Sequence, residues 1–147
     1  MVSCVNLFRN FIFVGNSIGY IRVFDVKSSK EMKPLFDDQL NMNKVTCIDI
    51  TEDGHYLLAG YKRGTVVLWD ANKYKLARMM TDVATNEVTS AKILYVTDSG
   101  VVNIVMSEDV GHIQFIEVYK GNFFGSYNHN AFSLFKERMV GSATIAV

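Results

Sequence analysis

An internal repeat constrains this chain more than any other feature. Its clearest copy runs from Val45 to Asp70. It reads Val45-Thr46-Cys47-Ile48-Asp49-Ile50, a turn at Asp53-Gly54, Tyr56-Leu57-Leu58-Ala59-Gly60, a turn at Lys62-Arg63-Gly64, then Val66-Val67-Leu68-Trp69-Asp70. Three apolar or β-branched runs alternate with tight turns, and each turn holds a glycine, which takes positive φ without a Cβ penalty. Shifted by about 45 residues, Phe11-Ile12-Phe13-Val14-Gly15 falls on Tyr56 to Gly60, Gly19 on Gly64, and Ile21-Arg22-Val23-Phe24-Asp25 on Val66 to Asp70. Shifted by about 47, Asn103 to Ser107 falls on Tyr56 to Gly60, Gly111 on Gly64, and Ile113 to Glu117 on Val66 to Asp70. Upstream of that third copy, Val88 to Ile93 echoes Val45 to Ile50.

Short strands at this period, ending in Trp-Asp, are the signature of propeller blades of the WD-repeat type. The expected fold is therefore all-β: about three blades of degenerate WD repeats plus part of a fourth. The blades are expected over residues 1–38, 44–82 and 87–128, with a fourth starting over 131–147. Propellers hold about four to eight blades, so these 147 residues are expected to need further blades, or self-association, to cover their open faces. The repeat markers are Gly15, Gly19, Phe24, Asp25, Gly60, Gly64, Trp69, Asp70 and Gly111. Trp69, Phe24 and Phe115 are expected to be buried between blades, and Asp25 and Asp70 to cap strand-end turns. Pro34-Leu35-Phe36 is expected as the outer strand of the first blade, because proline is confined to sheet edges. Leu76 to Met80 and Phe123 to Tyr127 are expected as the other outer strands. Phe132 to Phe135 and Val140 to Ala146 would open the fourth blade.

Composition removes several function classes. A hydrophobic content of 49% with 12% aromatics excludes a disordered chain. A formal net charge of zero leaves no footprint for nucleic acid. Cys4 and Cys47 sit in apolar runs and read as buried free thiols, which with the absence of a signal-peptide pattern suggests an intracellular chain. His55, His112 and His129 fit no metal-ligand spacing, and no nucleophile elbow or phosphate-binding loop occurs. No cofactor and no catalysis are expected. Basic residues gather at Lys62-Arg63, at Lys73, Lys75 and Arg78, and at Lys27, Lys30 and Lys33. Solvated loop tips account for such clusters; as a functional surface they would form a rim for an acidic partner or anionic lipid heads. With the aromatics Tyr61 and Tyr74, the candidate interaction loops are Tyr61, Lys62, Arg63, Lys73, Tyr74 and Lys75.

A typical WD repeat carries an Asp just before the turn glycine, in a buried network with a His and the Trp. Here that position holds Ile18, Arg63 and Val110, so the repeats are degenerate. The chain resembles the propeller of the vacuolar-protein-sorting subunit that binds the early-endosomal Rab GTPase in the CORVET tethering complex. The likeness is carried by Val14 to Gly19 with Val23-Phe24-Asp25, by Leu57 to Gly60 with Lys62-Arg63-Gly64 and Trp69 to Asp82, and more loosely by Phe115 to Lys120. The resemblance implies a non-catalytic protein-interaction module of an endosomal tether. It would sit in the cytoplasm at the periphery of endosomal membranes and meet a Rab GTPase and other tether subunits, touching the membrane only indirectly. An adaptor propeller in a ubiquitin-ligase receptor or coat is the alternative.

Overall fold

The structure, a computed structural model, describes residues 1–134. It contains twelve strands: β1 (Val2–Phe8), β2 (Phe11–Asn16), β3 (Ile21–Asp25), β4 (Lys30–Glu31), β5 (Val45–Ile50), β6 (Tyr56–Tyr61), β7 (Val66–Asp70), β8 (Lys75–Met80), β9 (Val88–Val96), β10 (Val102–Glu108), β11 (Ile113–Lys120) and β12 (Tyr127–Ser133). They form three four-stranded antiparallel sheets, each with its strands in chain order. These are the expected propeller blades.

Each sheet packs face to face on the next, which explains why β6 and β7 are apolar on both faces. Leu57, Ala59, Tyr61, Val67 and Trp69 pack against Phe13, Ile21, Val23 and Leu35 of the first blade. The alternate residues, Tyr56, Leu58, Val66 and Leu68, pack against Val102, Ile104, Met106, Ile116 and Val118 of the third. The innermost strands lie side by side through repeat-equivalent hydrogen bonds. Ser3 Oγ donates to the Val45 carbonyl (2.5 Å), as Thr46 Oγ1 does to that of Val88 (2.5 Å). Asn6 Nδ2 reaches the Ile48 carbonyl (2.7 Å), and Asp49 Oδ2 accepts from the Ile93 amide (2.8 Å). Gly15 and Gly60 mark the same interfaces. A Cβ on Gly15 would meet Cys4 Sγ and Val45, and one on Gly60 would meet Cys47 Sγ and Val88. Both cysteines are free thiols packed at blade interfaces, and burial pushes the Cys47 pKa up to about 11.

Five expectations need correction. In the first blade, Lys30–Glu31 forms β4 and only Leu35 makes a further bridge, to Ile21. Pro34 has no N–H to continue the ladder, so the outer strand is interrupted. In the third blade the outer strand is Tyr127–Ser133 rather than Phe123 to Tyr127, and its Phe132 pairs with Phe115. Phe132 and Ser133 thus belong to the third blade; residues 135–147, including Val140 to Ala146, lie outside the described residues. Phe115 is only partly buried, because it lies on the outward face of the third sheet; its neighbour Ile116 takes the Trp69 position at the second interface. Phe24 occupies that same position in the first blade and is also only partly buried.

The reason for the Phe24 result is visible in the pairing. Ile50, Leu57 and Trp69 form one cross-strand row, covered by the first blade. The equivalent row in the first blade is Leu7, Ile12 and Phe24, with Leu7 64% exposed. On this open face the Arg22 guanidinium lies 5.0 Å from the Phe24 ring centroid and pairs with Glu31 through two bonds of 2.7 and 2.8 Å. Val5 is equally open, at 60%. An apolar sheet face left uncovered drives association. The isolated 147-residue chain is therefore expected to elute as oligomers in size-exclusion chromatography with light scattering, and to become monodisperse when further blades are appended. A stable monomer at micromolar concentration would mean that this face tolerates water.

Candidate interaction surfaces

Antiparallel strands give each blade two ends. At one, the β2–β3, β6–β7 and β10–β11 turns lie beside the connectors between blades; this is the connector end. At the other lie the β1–β2, β3–β4 and equivalent turns; this is the turn end. The candidate residues do not gather on one surface. Lys62 and Arg63 are exposed at the connector end, whereas Lys73, Tyr74 and Lys75 lie at the turn end of the same blade.

Tyr61 is not a loop residue. It is the last residue of β6, fully buried, because it shares the inward parity of Leu57 and Ala59. Its hydroxyl and the Trp69 indole N–H are both buried and, among the described residues, find no hydrogen-bond partner of normal geometry. Burial raises the Tyr61 pKa, and the nearby indole opposes that rise. Trp69, cut off from any WD-type network, thus acts as an apolar wedge, 1% exposed.

Other groups hold the connectors in its place. Asn43, buried, accepts from the Arg63 amide (3.0 Å) and donates to Thr65 Oγ1 (3.4 Å). At the next connector Glu108 does this work. Its carboxylate accepts from the amides of Thr85 (3.1 Å) and Asn86 (2.9 Å), and its other oxygen lies 2.8 Å from His112 Nδ1. Burial acts to raise the Glu108 pKa, but the Asn86 amide, His112 and the Thr85 amide hold the carboxyl below its usual value. The aspartates at the strand ends do cap turns. Asp25 accepts from the Lys27 amide and Ser28 Oγ, and Asp70 from the Lys73 amide.

The histidines also have bland partners. His55 Nε2 is 3.6 Å from Asp70. His129 bridges the second and third blades, accepting from Arg78 Nε at Nδ1 (3.0 Å) and facing Asp82 across 2.8 Å at Nε2. Beside it the Tyr56 and Tyr127 hydroxyls meet at 3.2 Å.

Besides one of about 320 Å³ that Phe8, Gly54 and Tyr74 help to line, two larger grooves flank the second blade. One, of about 740 Å³, runs between β5 and β9 and is lined by Asp49, Glu52, Asp53, Lys92 and Tyr95, with Lys92 paired to Asp49 (3.7 Å). The other, of about 680 Å³, lies at the turn end between Asp70, Lys73 and Lys75 on one side and the loop from Lys120 to Tyr127 on the other.

The Vps8 β-propeller family model matches residues 1–137. The chain belongs to the Vps8 β-propeller family. Among solved structures, the chain is similar to the β-propeller domain of Cps50 (Swd1) from Myceliophteria thermophila, with a TM-score of 0.73 at 17% identity. The match covers 90% of this chain and 39% of that one, so the likeness is one of fold, and the chain spans well under half of that propeller. No curated protein matches in sequence.

Membership in the Vps8 propeller family accounts for the blades but marks no residue as a contact. One surface feature escapes the repeat reading altogether: the loop between β11 and β12. Its signal was present as two adjacent phenylalanines flanked by Gly121 and Gly125. The β propensity of Phe favours reading that stretch as a strand.

Proposed function

We propose that this segment is a non-catalytic protein-interaction module of an endosomal vesicle-tethering, vacuolar sorting protein. It presents its blade ends to a Rab GTPase and to other tether subunits, on the cytoplasmic side of endosomal membranes. The observation that carries this reading is the Vps8 family match over residues 1–137, joined to a fold of stacked, rigid sheets. Chemistry would need a nucleophile beside a base. The polar clusters described above are instead occupied in fixing turns and connectors.

The test is a pull-down of the full-length parent protein with a panel of Rab GTPases loaded with GTP or GDP. Selective capture of an endosomal Rab in its GTP form is expected. Recovery of cullin or coat components, with no nucleotide-dependent Rab binding, would overturn the assignment. Paired variants locate the contact: Lys62→Glu with Arg63→Glu at the connector end, and Lys73→Glu with Lys75→Glu at the turn end. Loss of capture is expected from one pair and not the other, because the two pairs lie at opposite ends of the blade.

A further inference from the structure

The three outer turns of the turn end form an internal comparison. In the first and second blades they are residues 26–29 and 71–74, four residues each; in the third the turn is 121–126, two residues longer. The added length carries Phe123 and Phe124. Phe123 is 83% exposed and Phe124 is 110% exposed, as open as a side chain in an extended peptide. The loop is nonetheless a built turn. The Gly121 amide donates to the Ser126 carbonyl (3.0 Å), and the Phe123 carbonyl accepts from both the Ser126 amide (3.1 Å) and Ser126 Oγ (2.6 Å). Gly125 takes φ +76°, and a Cβ there would meet no atom of the described residues within 4 Å, so the tip stands clear of the described blade. Two phenylalanines are thus held in water by a closed hydrogen-bonded turn.

Charge surrounds this tip. Lys73, Lys75 and Lys120 line the groove at its base and are all exposed. Asp70, the acidic residue among those lining it, has its side chain only 10% exposed; it accepts from the Lys73 amide and lies 3.7 Å from the Lys73 ammonium, which leaves Lys75 and Lys120 as the cations of the groove not paired to it. The same end of the first blade adds Lys27 and Lys30, on and beside the equivalent turn.

We propose that the Gly121–Ser126 loop inserts Phe123 and Phe124 into the interfacial zone of an anionic bilayer, while Lys73, Lys75 and Lys120 meet the lipid phosphates. Aromatic rings favour the headgroup level of a membrane, and each lysine near an anionic surface adds attraction. A tip exposed on all sides needs a medium that can surround it. A bilayer interface does so, whereas a protein pocket would have to enclose a free-standing turn. The basic flank supplies charge complementarity to anionic headgroups. Paired rings and a small basic patch give weak, salt-sensitive binding of the kind that acts beside a second anchor. The contact goes beyond the Rab reading, in which the membrane is reached only through partners.

The test is vesicle flotation of the 147-residue chain, and of the full-length parent, without any GTPase. Flotation separates bound protein, which rises, from self-associated protein, which does not. Vesicles of phosphatidylcholine with about one-fifth phosphatidylserine are expected to float the protein, and phosphatidylcholine alone to float far less. Added salt should reduce flotation. Phe123→Ser with Phe124→Ser should lower binding by roughly tenfold or more for each ring. Each of Lys73→Glu, Lys75→Glu and Lys120→Glu should cost about fivefold or more. Lys62→Glu with Arg63→Glu, at the opposite end, should leave binding unchanged. Circular dichroism melts of the loop variants should match the parent, since both rings are exposed. In Phe124→Trp, brominated lipid should quench the added fluorescence. Unchanged flotation of the double Phe variant, absence of quenching, or no flotation of the parent protein on the phosphatidylserine vesicles would each overturn the proposal. Because no GTPase is present, failure here leaves the Rab reading standing, and failure there leaves this one.

Discussion

Trp69→Ala is expected to destabilise the protein by about 3–5 kcal/mol, the range for deleting a fully buried core aromatic. The indole fills the seam between the first and second blades, with Leu57, Val67 and Ala59 on its own sheet and Phe13, Ile21 and Val23 across from it. Among the described residues its N–H has no hydrogen-bond partner of normal geometry, so the loss is one of packing and cavity rather than of a polar network. Phe24→Ala supplies the comparison. Phe24 holds the same repeat position but faces outward beneath the Arg22 guanidinium, so in the isolated chain its removal should cost about 1 kcal/mol, in proportion to its smaller buried area. With further blades appended, its cost should rise toward that of Trp69. Trp69 is the sole tryptophan, so unfolding of both variants is best followed by circular dichroism in denaturant. A Trp69→Ala loss under about 1 kcal/mol would show that the ring does not seal the interface, whatever the exposure of the native side chain.

That contrast also explains what the amino-acid sequence made legible. The repeat register placed Gly15 on Gly60, Gly19 on Gly64 and Phe24 on Trp69, and the structure puts each pair in equivalent positions. Strands β5 to β8 were readable because apolar runs, turn glycines and the Trp-Asp ending all agree. Reading failed where local preference and long-range pairing diverge. Tyr61 follows Gly60 and precedes two basic residues, so it resembles a loop aromatic; strand parity turns it inward. Phe115 looks like a core residue by type. The repeat register itself puts Phe115 on Leu68 and Ile116 on Trp69, and β10–β11 pairs without a shift, so Ile116 is the one that faces the second blade. β12 was displaced because the preceding turn is longer than its counterparts. The interaction residues were the least legible. An exposed lysine carries no record of its partner, and separation of Lys62 and Arg63 from Lys73 and Lys75 follows from strand direction rather than residue type.

Gly19→Ala and Gly64→Ala should be nearly as damaging as loss of a core side chain, for a backbone reason. Both glycines occupy the turn between the second and third strands of their blades, at φ +97° and +81°. A Cβ is disfavoured in this left-handed region by about 1–2 kcal/mol. Here a second cost applies. An added Cβ on Gly19 would overlap the Leu40 carbonyl oxygen, and one on Gly64 would lie 2.6 Å from the Ala84 carbonyl oxygen. Those carbonyls belong to the connectors that lead into the next blade, so the turn and the connector are packed backbone to backbone. Neither can yield by rotating a side chain. Moving the first connector would disturb Asn43, which ties it to Arg63 and Thr65; moving the second would disturb the Glu108 bonds to Thr85 and Asn86. The combined loss should be roughly 2–4 kcal/mol for each variant. Gly100 isolates the two contributions. It has φ +86°, but nothing lies within 4 Å of an added Cβ, so Gly100→Ala should cost only the conformational part, about 1–2 kcal/mol. Denaturant unfolding of the three variants under one condition measures the difference. Equal losses at Gly64 and Gly100 would show that the connector gives way freely, and that the turn glycine is selected for its dihedral angle alone.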